Sequence, residues 1–166
     1  MYKELLRNTV IVGIADMKTS SNQDEVLVTY SLGSCIGVAI HDPVAKVGGL
    51  LHYMLPESQI DTSKAKANPF MFADTGIPLL FRTCYAMGAK KNRLVVKVAG
   101  GSQIMDETNF FNIGRRNYEA LVNILSRNNV RIVSQTIGGV TNRTMRLNIT
   151  TGQVLVKMPG EEMVEL

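Results

Sequence analysis

Tryptophan is absent from the 166-residue chain, aromatic residues make up only 6% of it, and cysteine and histidine occur twice each. Each scarcity closes off a class of function. Two cysteines and two histidines with no CxxC or HxxxH spacing do not make a structural zinc site. Cys35 and Cys84 stand far apart, and in a reducing compartment a disulfide between them is not expected. No apolar run nears the ~20 residues needed to span a bilayer; Thr9–Ala15 and Leu94–Ala99 are among the longest. The first residues, Met-Tyr-Lys-Glu-Leu-Leu-Arg-Asn, mix charges and lead to no small-residue cleavage site, so a secretory leader and membrane insertion are not expected. The reading is a cytoplasmic protein.

What is present suits one domain over residues 1–166. Hydrophobic residues reach 45% and charged residues 19%, a globular composition with enough apolar side chains for one core. The net charge is +4, but Lys and Arg cluster only at Lys90-Lys91-Asn92-Arg93 and Arg115-Arg116, neither beside an aromatic ladder. Nucleic acid is therefore not the expected partner. An acidic protein surface fits the balance better.

The first third reads as strands: Thr9–Ala15, a polar loop over Lys18–Asp24, Glu25–Leu32, Cys35–His41 and Val47–Met54. Asp42-Pro43 turns the last two into a hairpin. Pro56–Asn68 reads as an exposed loop. A helix is predicted over Pro69–Met87, kinked or split by Pro78 and closed at Gly88. Strand Arg93–Ala99 precedes the breaker Gly100-Gly101. A second helix follows, from Asn112 as N-cap to Arg127, with Ile113, Ala120, Leu121, Ile124 and Leu125 facing the core. Strands Val130–Thr136, Met145–Ile149 and Val154–Met158 close the chain, the last two joined by Thr150-Thr-Gly-Gln. Met105, Phe110 and Phe111 are expected in the core, with an exposed partner-binding patch as the alternative. The order implies an α+β fold: a layered α/β sandwich with a β-rich N-terminal part, two main helices and a C-terminal strand meander.

Chemistry concentrates near Cys35. It follows Gly33 and Ser34 at the start of a strand, where backbone N–H groups can converge beside the sulfur as an oxyanion hole requires. A nucleophilic thiol needs a base within reach. His41 ends the strand that Cys35 begins, roughly 20 Å away at ~3.3 Å per residue. His52 lies on the returning strand and can come level with the thiol. Thr29, on the preceding strand, can hold the far nitrogen of His52 in the manner of a triad's third member. Ser102 and Gln103, after the glycine pair, are candidates for lining a substrate groove. Each residue also has a plainer explanation. Cysteine is often a small buried hydrophobe, as Cys84 is expected to be, a histidine among leucines is often interior, and threonine is a good strand former.

The longer pattern is more specific. Thr29-Tyr-Ser-Leu-Gly-Ser-Cys-Ile-Gly-Val-Ala-Ile-His-Asp-Pro followed by Gly48-Gly-Leu-Leu-His-Tyr-Met-Leu-Pro resembles the signature of the CheD family of chemoreceptor glutamine deamidases. Phe72-Ala-Asp-Thr-Gly-Ile, Lys97-Val-Ala-Gly-Gly-Ser, Asn112-Ile-Gly-Arg-Arg-Asn, Gly138-Gly139 and Thr151-Gly-Gln-Val extend the resemblance over roughly residues 9 to 158. The resemblance implies an α/β sandwich, and a cysteine, histidine and threonine that fall on Cys35, His52 and Thr29. It implies hydrolysis of glutamine side-chain amides on the cytoplasmic helices of methyl-accepting chemotaxis receptors, through a thioester and without metal or organic cofactor. It also implies binding to a CheC-type phosphatase, so that a binding module with little catalysis of its own is the alternative. One stretch departs. Where the family pattern has an acidic residue before Gly-Gly-x-x-Gly-Arg, this chain has Thr136 to Arg143 with Asn142 in place of the third glycine.

Overall fold

A computed structural model of the chain describes residues 8–103 and 112–166. Met105, Phe110 and Phe111 lie outside the described residues. Five strands form one sheet in the order β1 (Asn8–Val12), β3 (Glu25–Leu32), β8 (Arg143–Asn148), β9 (Val154–Lys157) and β10 (Val164–Glu165). A second sheet runs β2 (Asp16–Ser20), β5 (Val47–Tyr53), β4 (Ile36–Asp42), β6 (Val95–Gly100) and β7 (Ile132–Ile137). Three α-helices, α1 (Thr62–Ala67), α2 (Ala73–Ala86) and α3 (Ile113–Arg127), and three short 3-10 turns, Ser58–Ile60, Pro69–Met71 and Lys91–Arg93, complete the described elements. Among the described residues no helix is long and apolar enough to cross a membrane.

The layering follows from strand parity. Every residue of β4 and β5 is buried, because successive side chains point to opposite faces and both faces are covered. Ile36, Val38, Ile40, Leu51 and Tyr53 pack with Ile77 and Leu80 of α2 and Leu121 of α3. Ala39 and Leu50 pack the other way, onto Leu27, Met145 and Leu147 of the first sheet. The order is sheet, sheet, helices, an α+β sandwich in which β4 and β5 occupy the middle. Each such large aliphatic side chain stabilises the fold by about 1.5–3 kcal/mol on burial.

The hairpin register is fixed on both sides. Gly37 faces His52 and His41 faces Gly48 across β4 and β5. The C-terminal strands divide between the sheets: β7 pairs in parallel with β6, while β8, β9 and β10 run as a meander in the other sheet. Three local differences from the sequence reading have simple causes. Asp16–Ser20 is an edge strand on β5, although its polar residues give no apolar alternation and the predicted loop began inside it. The predicted loop over Pro56–Asn68 holds the six-residue α1, capped by the Asp61 carboxylate accepting from the Lys64 N–H at 3.0 Å. The helical pieces break at Phe72, not at Pro78, and α2 runs through that proline.

Candidate active site at the crossing between the sheets

Between Leu32 and Ile36 the chain leaves the first sheet and enters the second. Thr29 and Cys35 therefore belong to different layers although they lie only six positions apart. Thr29 points from the first sheet toward the second, where its Oγ1 lies 2.7 Å from His52 Nδ1. Cys35 packs against the core between the sheets, on the face that His52 also occupies. Gly37 is the direct cross-strand partner of His52, so Cys35 is its diagonal neighbour, a relation that spaces residues about 7–8 Å apart and keeps long side chains within reach. Thr29 and His52 are fully buried, and Cys35 is half-buried with a free thiol.

The hydrogen bonds assign the imidazole's tautomer. Thr29 has one hydroxyl proton, which it donates to the Val12 carbonyl at 2.8 Å. Toward His52 it can then only accept, so Nδ1 carries the ring proton and Nε2 carries the lone pair. Nε2 has no hydrogen-bond partner among the described residues. A buried imidazole fixed in one tautomer, with a cysteine as diagonal cross-strand neighbour, has the elements that thiol activation would require.

Both groups rest neutral. Burial pushes the Cys35 thiol up to about 11, with its own backbone N–H pulling the other way. Burial also pushes His52 down to about 4, opposed by the carboxylate of Asp16, its neighbour across β2 and β5. At neutral pH the two groups are thus a thiol and an imidazole.

Three consecutive carbonyls in the crossing are held from outside it. Gly33 O accepts from Ser102 N–H at 2.8 Å, Ser34 O from Asn117 Nδ2 at 2.9 Å, and Cys35 O from Gly101 N–H at 2.9 Å. The Cys35 N–H lies against its own sulfur, where it opposes the effect of burial. With these three carbonyls tied back, the backbone of the crossing is fixed around the sulfur. The geometry demands glycine at two positions. A Cβ on Gly100 would overlap the Cys35 carbonyl oxygen, and one on Gly114 would overlap the carbonyl oxygen of Ser102.

Ser102 and Gln103 separate in the structure. Ser102 is fully buried; its hydroxyl lies 2.6 Å from the Thr141 carbonyl and 3.1 Å from that of Gly138, and it accepts from Arg143 at 2.7 Å. It fastens the departing Thr136–Arg143 turn to the loop that holds Gly33, and its side chain lines no groove. Arg143 also donates to Gly138 O at 2.7 Å, so carbonyls and a hydroxyl close this turn in a chain that lacks the acid. Gln103 is exposed in a cleft of about 260 Å³ shared with Asn112, Arg115 and Tyr118.

His41 is buried, with Nε2 2.7 Å from the Ile149 carbonyl, and Cys84 is a core residue on the buried face of α2. Sequence reasoning missed Asn117, fully buried in the middle of α3. The signal was there: Ile113, Asn117, Leu121 and Leu125 repeat every four residues, so a polar side chain sits in an apolar stripe. Among the described residues no group of three or more His, Cys, Asp or Glu is placed to hold a metal ion.

Comparison with known proteins adds the lineage. The family described as "CheD chemotactic sensory transduction" matches residues 54–158. The protein named "Probable chemoreceptor glutamine deamidase CheD 1" from Syntrophus aciditrophicus (strain SB) is 56% identical, over 95% of this chain and 98% of its own length. The "Probable chemoreceptor glutamine deamidase CheD" of Solibacter usitatus (strain Ellin6076) is 45% identical, over 92% and 90%. Among solved structures, Neisseria meningitidis protein NMB0706 aligns with 82% of this chain and 64% of its own at 11% identity and a TM-score of 0.48, a likeness that carries no functional meaning. With a family match over residues 54–158 and relatives aligned along nearly its whole length, this chain belongs to the CheD family.

Proposed function

We propose that the protein hydrolyses glutamine side-chain amides on chemotaxis receptors, with Cys35 as nucleophile, His52 as base and Thr29 as the group that orients the imidazole. The observation that carries this reading is the Val12–Thr29–His52 chain of hydrogen bonds, which leaves Nε2 as the free lone pair. As the Cys35 sulfur bonds to the amide carbon, Nε2 takes the thiol proton and the carbonyl oxygen becomes an oxyanion between the Ser34 and Cys35 N–H groups. The imidazolium then protonates the amide nitrogen, the C–N bond breaks and ammonia leaves. The thioester remains. Water attacks it with His52 again as base, releasing glutamate and regenerating the thiol. One neutral side chain becomes an anion.

The substrate is read as a receptor's cytoplasmic helices, and the protein as cytoplasmic. A half-buried thiol with fully buried partners suits a side chain presented by a macromolecule. A CheC-type phosphatase that docks over the same thiol belongs to this reading as a competitor. The neutral resting pair favours a second reading, in which the chain mainly grips such partners. Incubation of wild type and Cys35→Ala with a receptor cytoplasmic fragment decides, by ammonia release and the mass gain of ~1 Da per converted amide. Release by wild type alone is expected; binding without release by either protein would leave the binding module.

A further inference from the structure

We propose that Asn117 is a positioning residue whose carboxamide clamps the Ser34 carbonyl to the Met54 carbonyl and so fixes Cys35 against His52. The inference rests on the functional reading above and adds a residue to it. Asn117 Nδ2 donates to Ser34 O at 2.9 Å and to Met54 O at 2.8 Å. Ser34 directly precedes Cys35, and Met54 lies two residues after His52. One NH₂ group thus joins the strand that starts at the thiol to the strand that carries the base, at the end of the hairpin where the two meet.

The clamp is itself held. Tyr53 Oη donates to the Asn117 carbonyl at 2.7 Å, which ties the helix backbone to β5. One turn earlier, Gly114 allows α3 to lie against the Gly101 and Ser102 carbonyls, the same segment whose N–H groups hold Gly33 and Cys35. The stretch Asn112-Ile-Gly-Arg-Arg-Asn thereby acquires a physical meaning: glycine brings the helix in, and asparagine three residues on grips the crossing.

Packing alone does not account for an asparagine here. The position is fully buried among apolar residues of α3, where leucine fills the stripe at lower desolvation cost. Moreover, Asn117 Oδ1 has no partner among the described residues, and an unpaired buried acceptor opposes stability. The side chain satisfies two carbonyls at the expense of its own oxygen.

The test compares Asn117→Leu, which restores the apolar stripe but leaves both carbonyls unpaired, with Asn117→Asp, which keeps the shape and loses the NH₂. Two readouts are taken: kcat and KM for ammonia release from the receptor fragment, and the pH profile of Cys35 alkylation by iodoacetamide without receptor. In alkylation the sulfur–carbon bond forms, iodide leaves and His52 accepts the thiol proton. Wild type is expected to alkylate at a rate nearly independent of pH through neutrality. Each folded variant should instead speed up about tenfold per pH unit, as an unassisted thiol does, and lose about 100-fold in kcat with KM little changed. A folded variant that keeps the wild-type profile and kcat overturns the proposal. Failure of both variants to fold also overturns it, since Asn117 would then be structural. Alkylation that depends on His52 and Asn117 in a protein that releases no ammonia supports the clamp and sinks only the deamidase reading.

Discussion

The β4–β5 hairpin carries a histidine at each end, and both face the first sheet from positions opposite a glycine. Both are buried and both are held neutral by that burial. They differ in which nitrogen is engaged. His41 meets a backbone carbonyl through Nε2, so its proton is committed to joining β4 to the chain after β8. His52 is anchored through Nδ1 to a hydroxyl already spent on Val12, and its Nε2 stays unpaired with a thiol as diagonal neighbour. Burial and strand position do not separate the two histidines; on the proposed reading the neighbouring thiol does.

Exchanging each histidine for glutamine gives the sharpest test of that contrast. His52→Gln is expected to lose about 10³-fold in kcat/KM for ammonia release. His41→Gln should keep kcat/KM within about threefold and lower Tm, because it disturbs a buried carbonyl and nothing at the sulfur. Equal losses from the two would break the comparison. Thr29→Val keeps the shape and removes both hydroxyl bonds. Turnover should fall roughly 10–100-fold, less than loss of the base itself, since the ring remains but its tautomer and angle are no longer imposed. A smaller effect is expected in the stability of the unliganded protein. Both imidazoles have folded-state pKa values below the unfolded value of ~6.5, so between those values the unfolded chain binds more protons. Stability is then full above about pH 6.5 and declines as pH falls toward about 4. Thermal melts across that window should show the decline in wild type and a shallower one in either glutamine variant; identical slopes would count against buried neutral histidines.

Much of this contrast was legible in the sequence. Strand lengths and the Asp42-Pro43 turn set the hairpin, and with it the rule that His41 lies at the wrong end and His52 at the right one. The order of strands and helices gave the layered α+β class. Legibility failed where the local pattern carries no apolar alternation. Strand β2 hides in a polar stretch because it lies at the sheet edge, where Ser20 is its one buried residue and Met17 its one apolar side chain on the helix-side core. Ser102 looked like a groove residue because a serine after two glycines resembles an exposed turn; its hydroxyl is instead buried and held by Arg143, 41 residues on. Asn117 escaped because its partners are carbonyls, which no side-chain spacing reveals. Asp42 was read only as a turn former. In the structure its carboxylate, which burial alone would push up, is held well below the usual carboxylate range by Arg93 and three backbone N–H groups.

The passage of the chain from one sheet to the other at residues 33–35 has a consequence for how the protein fails. On the proposed reading the orienting hydroxyl belongs to one layer, the base and the thiol to the other, and the packing of Ala39, Leu50 and Ala99 against Leu27, Met145 and Leu147 sets the gap between them. Catalysis on this reading works as a caliper on that gap. Conditions that let the layers drift apart while each keeps its ladder intact silence the enzyme at a point where its strands still look native.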